Sequence, residues 1–251
     1  MKHIYLIAAL LFLALSGCKS TYYVTDTDVD YKRISEAEIT PDQEVADMLI
    51  PYRTQMDAEM NEVIGHLDTI LRKESPESNI GNWLSDMLLE EATRNSNLTI
   101  DFAVQNSGGI RVPSLAAGPI TIGEVFEVMP FDNKISIITA DGNGVKEFMD
   151  HMAKGRGWPI SKGVSYKIKD QTAHDIMING AALDLNKTYT FALPDYIAGG
   201  GSGSAFLRKY DRQDLELLIR ESFVEHIMRD TESGSTQYAR IEGRVTNMSH
   251  E

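Results

Sequence analysis

The stretch TIDFAVQNSGGIRVP, Thr99 to Pro113, carries an apolar run into two adjacent glycines held between an Asn and an Arg. Glycine has no Cβ, so the backbone of such a turn can take positive φ and bring bare N–H groups close to a ligand. An arginine beside it can hold an oxyanion in a two-pronged fork. Asn106-Ser107-Gly108-Gly109-Ile110-Arg111 therefore reads as a strand end that comes close to something other than its own chain.

A second glycine-rich turn, Pro194-Asp195-Tyr196-Ile197-Ala198-Gly199-Gly200-Gly201-Ser202-Gly203, follows a second apolar run. Between the two lies Met129-Pro130-Phe131-Asp132-Asn133, an aromatic on a turn with an amide two residues on. Taken singly each is a plain tight turn, and a lone Phe131 is more often a core plug than a stacking platform.

Hydrophobic periodicity places these turns between elements of both kinds. Helices are expected over 79–93, 122–128, 144–153 and 215–228, and strands over 99–104, 134–139, 164–169, 175–178, 189–193 and 238–245. Asn179-Gly180 is a hairpin turn of the two-residue type. Upstream, Thr40 as cap and Pro41 at the first position open a helix of roughly 25 residues. Its apolar stripe, Val45, Met48, Leu49, Tyr52, Met56, Met60, Val63 and Ile64, is expected to be a core face in preference to a partner-docking face. Interleaved helices and strands, some hairpin-paired, predict an α+β (mixed α/β) fold, a mixed sheet with covering helices, as one domain over 41–248.

The formal net charge of −13, from 37 acidic and 24 basic residues, argues against a nucleic acid polymer as partner, because such binding rests on clustered Lys and Arg. No histidine has another within a helical turn or an Asp two residues before it, so no metal site is expected in this chain and each of the six histidines reads as a surface residue. No G-x-S-x-G elbow is present, and Gly201-Ser202-Gly203-Ser204 lacks its apolar flanks.

In their order along the chain the three turns are specific. At these residues the chain resembles the C-terminal, nucleoside-binding domain of the 5'-nucleotidase and UDP-sugar hydrolase family. The supporting segments are Glu77-Ser78-Asn79-Ile80-Gly81-Asn82 with Asp86, Gly123 through Asn133, the Tyr189 strand leading into its glycine turn, and Ile241-Glu242-Gly243-Arg244. The resemblance implies that a base is clamped between Phe131 and Tyr196, with the Asn133 amide on its edge. It also implies that Arg111 and Asn106 lie where sugar meets phosphate, and that Gly108, Gly109, Gly200, Gly201 and Ser202 bring backbone to the substrate.

Three departures matter. Ser202 stands where the family has an Asp that accepts from ribose hydroxyls, so ribose affinity should fall; Asp195 is nearby. Glu74 stands where the family has a ligand-contacting Arg, whose space Arg72 or Lys73 could reach. Tyr196 replaces the more usual Phe, which keeps the ring and adds a hydroxyl.

The first residues read as a targeting segment. Lys2, the apolar run Ile4 to Leu15, and Leu15-Ser16-Gly17-Cys18 resemble a bacterial lipoprotein signal with cleavage before Cys18. The alternative is an ordinary secretory leader with an incidental Cys. The expected organisation is a signal peptide over 1–17, a tether over 18–40 that could hold a short strand, and the domain, with 41–65 resembling the family's interdomain helix. Cys18 would carry the lipid, anchoring the chain to a membrane of the cell envelope.

The resemblance further implies catalysis by two divalent metals on a separate metallophosphatase chain, since no cofactor is expected here. Three functions remain: the nucleotide-recognition half of a split 5'-nucleotidase, a stand-alone envelope lipoprotein that binds nucleosides or nucleotides, and a degenerate structural or interaction module.

Overall fold

The computed structural model describes residues 22–23, 26–28, 30–31 and 42–248. The expected signal peptide and Cys18 lie outside the described residues, as does most of the tether, whose described positions carry no helix or strand. Two compact units divide between Leu49 and Ile50.

Helix α1 (Gln43–Met60) is capped by Asp42, whose Oδ1 accepts from the N–H groups of Glu44 at 3.0 Å and Val45 at 3.3 Å. The expected cap, Thr40 with Pro41, is outside the described residues. The helix also ends earlier than expected: Val63 and Ile64 belong to β1 (Val63–Leu67). None of its residues is buried, and Val45, Met48, Tyr52 and Met56 stand exposed, so the stripe is not a core face. Periodicity identifies the apolar face of a helix; burial needs a second surface against it.

The chain continues through β2 (Leu71–Arg72), α2 (Asn79–Arg94), β3 (Phe102–Ala103), β4 (Ser114–Leu115), β5 (Gly118–Thr121) and α3 (Ile122–Val128). Next come β6 (Lys134–Asp141), α4 (Gly142–Lys154), β7 (Val164–Lys169), β8 (Thr172–Ile178), β9 (Ala181–Ala182) and β10 (Thr188–Pro194). A one-turn helix α5 (Asp195–Ala198), β11 (Asp211–Leu218), α6 (Ile219–Glu232) and β12 (Val245–Asn247) complete it. Side-chain caps mark three helix starts: Ser78 accepts from Gly81 N–H, Thr121 forms a capping box with Glu124, and Asp141 accepts from Gly144 N–H. Asn179 and Gly180 both take positive φ, 51° and 81°, as the β8–β9 turn requires.

The fold is mixed α+β, with two four-stranded mixed sheets in place of one. The first has the order β11-β6-β10-β3 and the second β12-β7-β8-β9. In the first sheet β10 runs parallel to β3 and antiparallel to β6. Side chains alternate across it as the period of two demands. Ala103, Ile135, Ile137 and Ala192 face a core built with α2, α3 and α6. Phe102, Ile138, Ala140, Phe191 and Leu193 face another built with α4 and the second sheet. Burial on both faces explains why these strands read as continuous apolar runs.

Two boundaries differ from expectation. Leu215 to Leu218 close β11 and the helix starts at Ile219, because pairing with the open edge of β6 outweighs the helix propensity of Leu and Glu. In the expected last strand only Val245 pairs; Tyr238 to Arg244 is irregular, and its polar side chains bond to other parts of the fold.

Candidate functional site

Strand register brings the three turns together. Pro194 at the end of β10 lies opposite Ile135 near the start of β6, so the residues after β10 and those before β6 emerge at the same end of the sheet. Ala103 of β3 lies beside Ala192 of parallel β10, so the residues after β3 emerge there too. The carboxyl ends of parallel strands are the usual place for a ligand crevice in sheets of this kind.

A cleft of about 340 Å³ opens at this end, lined by Asn106, Gly108, Gly109, Arg111, Phe131, Asn133, Tyr196 and Ser202. Gly200 and Gly201, also singled out from the sequence, form the turn that supports its Tyr196 and Ser202 side. Phe131 is 45% and Tyr196 52% exposed, although both are large aromatic side chains facing the same space.

Each lining residue is held by identifiable contacts. Gly109 N–H donates to the Asn106 carbonyl at 2.9 Å, closing a 3-10 turn over Ser107–Gly109. A Cβ at Gly109 would come 2.9 Å from Asn106 Oδ1, so this glycine is what lets the Asn side chain fold over the turn. Asn106 is buried, and its Oδ1 has no hydrogen-bond partner among the described residues. Arg111 donates from Nη1 to the Gly108 carbonyl at 3.2 Å, with its guanidinium 5.8 Å from the Phe131 ring centroid.

On the opposite wall, Tyr196 N–H donates to Asp195 Oδ1 at 2.7 Å, which engages that carboxylate in the first turn of α5. Gly201 lies under the Tyr196 ring, where a Cβ would come within 2.4 Å of ring carbon. Gly200 takes φ +97° and packs against Arg208, whose Nε donates to the Gly199 carbonyl at 2.7 Å. Ser202 itself is in the left-handed region, φ 52°; its N–H donates to Tyr196 Oη at 3.3 Å and its carbonyl lies 3.0 Å from His151 Nε2.

Some supporting residues carried no signal in the sequence. Arg220, at the start of α6, donates to the Pro130 carbonyl at 3.3 Å, pairs with Asp132, and lies over the Phe126 ring at 4.6 Å. Ile219 N–H donates to the Asn133 carbonyl at 2.9 Å. The Phe131 loop is thereby pinned by residues far along the chain, Arg220 lying 90 positions after Pro130. His151 likewise reaches the second glycine turn from α4, held edge-on to Trp158 and Phe206.

Of the basic residues near Glu74, Lys73 reaches the first turn, donating from Nζ to the Ile110 carbonyl at 2.8 Å. The outer motif residues prove to be braces. Arg244 forms a bidentate pair with Asp86 at 2.7 Å per contact and also binds Glu242 and the Ile160 carbonyl. Glu77 Oε1 accepts from Asn82 Nδ2 at 2.7 Å and Glu242 N–H at 2.8 Å. The expectation that every histidine is a surface residue fails at His226, which is buried with Nδ1 2.8 Å from Glu91 Oε1. On α6 it faces α2, where a buried carboxylate supplies the partner that a buried ring requires.

Among the described residues no group of three or more His, Cys, Asp or Glu is arranged to hold a metal ion. The described side chains do not fit a dimetal centre.

The family model described as "5'-nucleotidase, C-terminal domain" matches residues 63–209. The trifunctional nucleotide phosphoesterase protein YfkN of Bacillus subtilis is 27% identical over 215 residues, covering 77% of this chain and 14% of that protein. A 5'-nucleotidase of Vibrio parahaemolyticus is 29% identical over 175 residues, covering 66% of this chain and 30% of that protein. The solved structure of a 5'-nucleotidase precursor from Thermus thermophilus matches with a TM-score of 0.70 at 27% identity, covering 86% of this chain and 45% of that one. The chain thus spans less than a third of these curated relatives and less than half of that structure.

Proposed function

The chain belongs to the family of 5'-nucleotidase C-terminal domains, and from that premise we propose that it is the nucleotide-recognition half of a split 5'-nucleotidase. A metallophosphatase on another polypeptide would supply the divalent metals and hydrolyse the phosphate ester. The observation that supports this best is the pair of exposed rings, Phe131 and Tyr196, from distant turns lining one cleft with Asn133 and Arg111.

Each residue has a physical task in this reading. Between the rings a planar base gains roughly 1–3 kcal/mol of stacking from each, whichever base it is. The Asn133 amide offers a donor and an acceptor to the base edge. Arg111, already stacked near Phe131, keeps guanidinium N–H groups free for an anionic oxygen beyond the one given to Gly108. Asn106 Oδ1, buried and without a partner among the described residues, is stabilised by any ligand O–H or N–H that reaches it. These groups bind and orient; the bond-breaking step belongs to the partner.

We further propose that Cys18 carries a lipid that holds the chain at a membrane of the bacterial cell envelope. Cys18→Ser would release the protein from the membrane fraction.

The test has two arms. Calorimetry of the full chain with AMP, adenosine and UDP-glucose should register binding that Phe131→Ala weakens by at least tenfold, the equivalent of about 1.4 kcal/mol. Mixing the chain with a metallophosphatase that lacks a nucleotide-recognition domain of its own should release phosphate from nucleotides that neither releases alone. Binding that is unchanged by Phe131→Ala rules out the clamp. Binding without activity on mixing reassigns the chain to a stand-alone nucleotide-binding protein.

A further inference from the structure

We infer that the cleft reads base and charge but not the hydroxyls of the sugar, so that deoxyribonucleotides and ribonucleotides are bound alike. This rests on the nucleotide reading above and names the breadth of its substrate class. In a chain of net charge −13, the cleft lining contains no carboxylate and one charged side chain, Arg111. The two nearest acids in sequence do not line it: one oxygen of Asp195, Oδ1, accepts from Tyr196 N–H at 2.7 Å, and Asp132 pairs with Arg220.

A sugar diol presents two O–H donors, and the strong match for them is a carboxylate, as in dinucleotide sites where an acid accepts from the ribose hydroxyl. A site built that way rejects an analogue lacking the hydroxyl by a factor on the order of 10⁴, because the buried acceptor is left unpaired. Nothing comparable is stranded here. The Ser202 side chain is exposed and its hydroxyl makes no hydrogen bond among the described residues, so water replaces a missing ligand hydroxyl at little cost.

The Ser202 backbone is also fixed from both sides, by Tyr196 Oη and His151 Nε2, which keeps the turn from swinging another acceptor into the cleft. Among the residues lining the cleft, the buried acceptor with no partner among the described residues is Asn106 Oδ1, which sits against Gly109 in the turn whose Gly108 carbonyl Arg111 binds. That places it at the Arg111 end of the cleft, where an anion would be held.

The experiment is calorimetric titration of the full chain with AMP, 2'-deoxy-AMP and 2',3'-dideoxy-AMP, repeated on Ser202→Asp, a residue that tolerates the left-handed conformation. For the native chain the three Kd values should agree within about threefold, and Ser202→Asp should raise the preference for AMP over the dideoxy compound by about tenfold. A native preference for AMP above tenfold overturns the inference while leaving the nucleotide site standing. An unchanged ratio in a folded Ser202→Asp overturns it as well, since the sugar then lies elsewhere. If that variant fails to fold, the native ratios decide. Binding of none of the three overturns the nucleotide site and this inference with it.

Discussion

Gly201 and Tyr196 illustrate how tightly the candidate site is drawn. The ring lies on the glycine so closely that an added methyl would occupy the space of ring carbons, within 2.4 Å. Gly201 does not need positive φ, so Gly201→Ala strains contact and not backbone conformation. Alanine there should push the Tyr196 ring off its wall, weakening nucleotide binding about tenfold or more with little change in Tm, as titration beside thermal unfolding would register. Tyr196 itself was legible as an aromatic on a glycine turn, and Gly109 and Arg111 as a turn with a cation. The tasks of Gly109 and Gly201, making room for the Asn106 amide and the Tyr196 ring, depend on which side chains fold back over them.

Elements are tied by a few charged contacts, and the most connected is Arg244. Just ahead of β12 it is nearly fully buried, clasps Asp86 on α2, and donates to Glu242 and to the Ile160 carbonyl. Arg244→Ala removes charge-assisted hydrogen bonds and leaves the partly buried Asp86 and Glu242 carboxylates without this partner, so it should cost about 2–3 kcal/mol, measured by denaturant unfolding. Burial acts to raise the Glu242 carboxyl, but the Arg244 hydrogen bond and charge outweigh it and hold the group below its ordinary value. A carboxyl depressed in the folded state contributes stability above its unfolded pKa and loses it as pH falls through the folded one. Unfolding free energy should therefore decline as pH drops below the ordinary Glu value of 4.5, and decline less in Glu242→Gln, as parallel denaturant titrations would report. The segments holding Glu77, Asp86, Glu242 and Arg244 were recognisable in the sequence by family resemblance. Their bracing role was not, because Asp86 and Arg244 pair across most of the chain. The same holds for Arg220, an ordinary helix-start arginine until its contacts with Pro130 and Asp132 are known.

The central sheet, covered on both faces, is the part of the molecule that opens last. Amides of β3, the middle of β6 and β10 should exchange with solvent most slowly, and those of α1, whose residues are all unburied, should exchange fast; hydrogen-exchange mass spectrometry on the full chain measures both. Local pattern in the sequence was enough for the mixed α+β class, most helices and central strands, the β8–β9 hairpin, and the three turns that carry the candidate site, since each depends on propensity and periodicity within a dozen residues. It was not enough for the limits of α1 and β11, the exposure of the α1 stripe, the burial of His226, or the division into two four-stranded and two two-stranded sheets. Those follow from which surfaces meet. The common end at which β3, β6 and β10 deliver their turns is of this second kind: it is set by register between strands far apart in the chain, and pairing across such distances leaves no local trace.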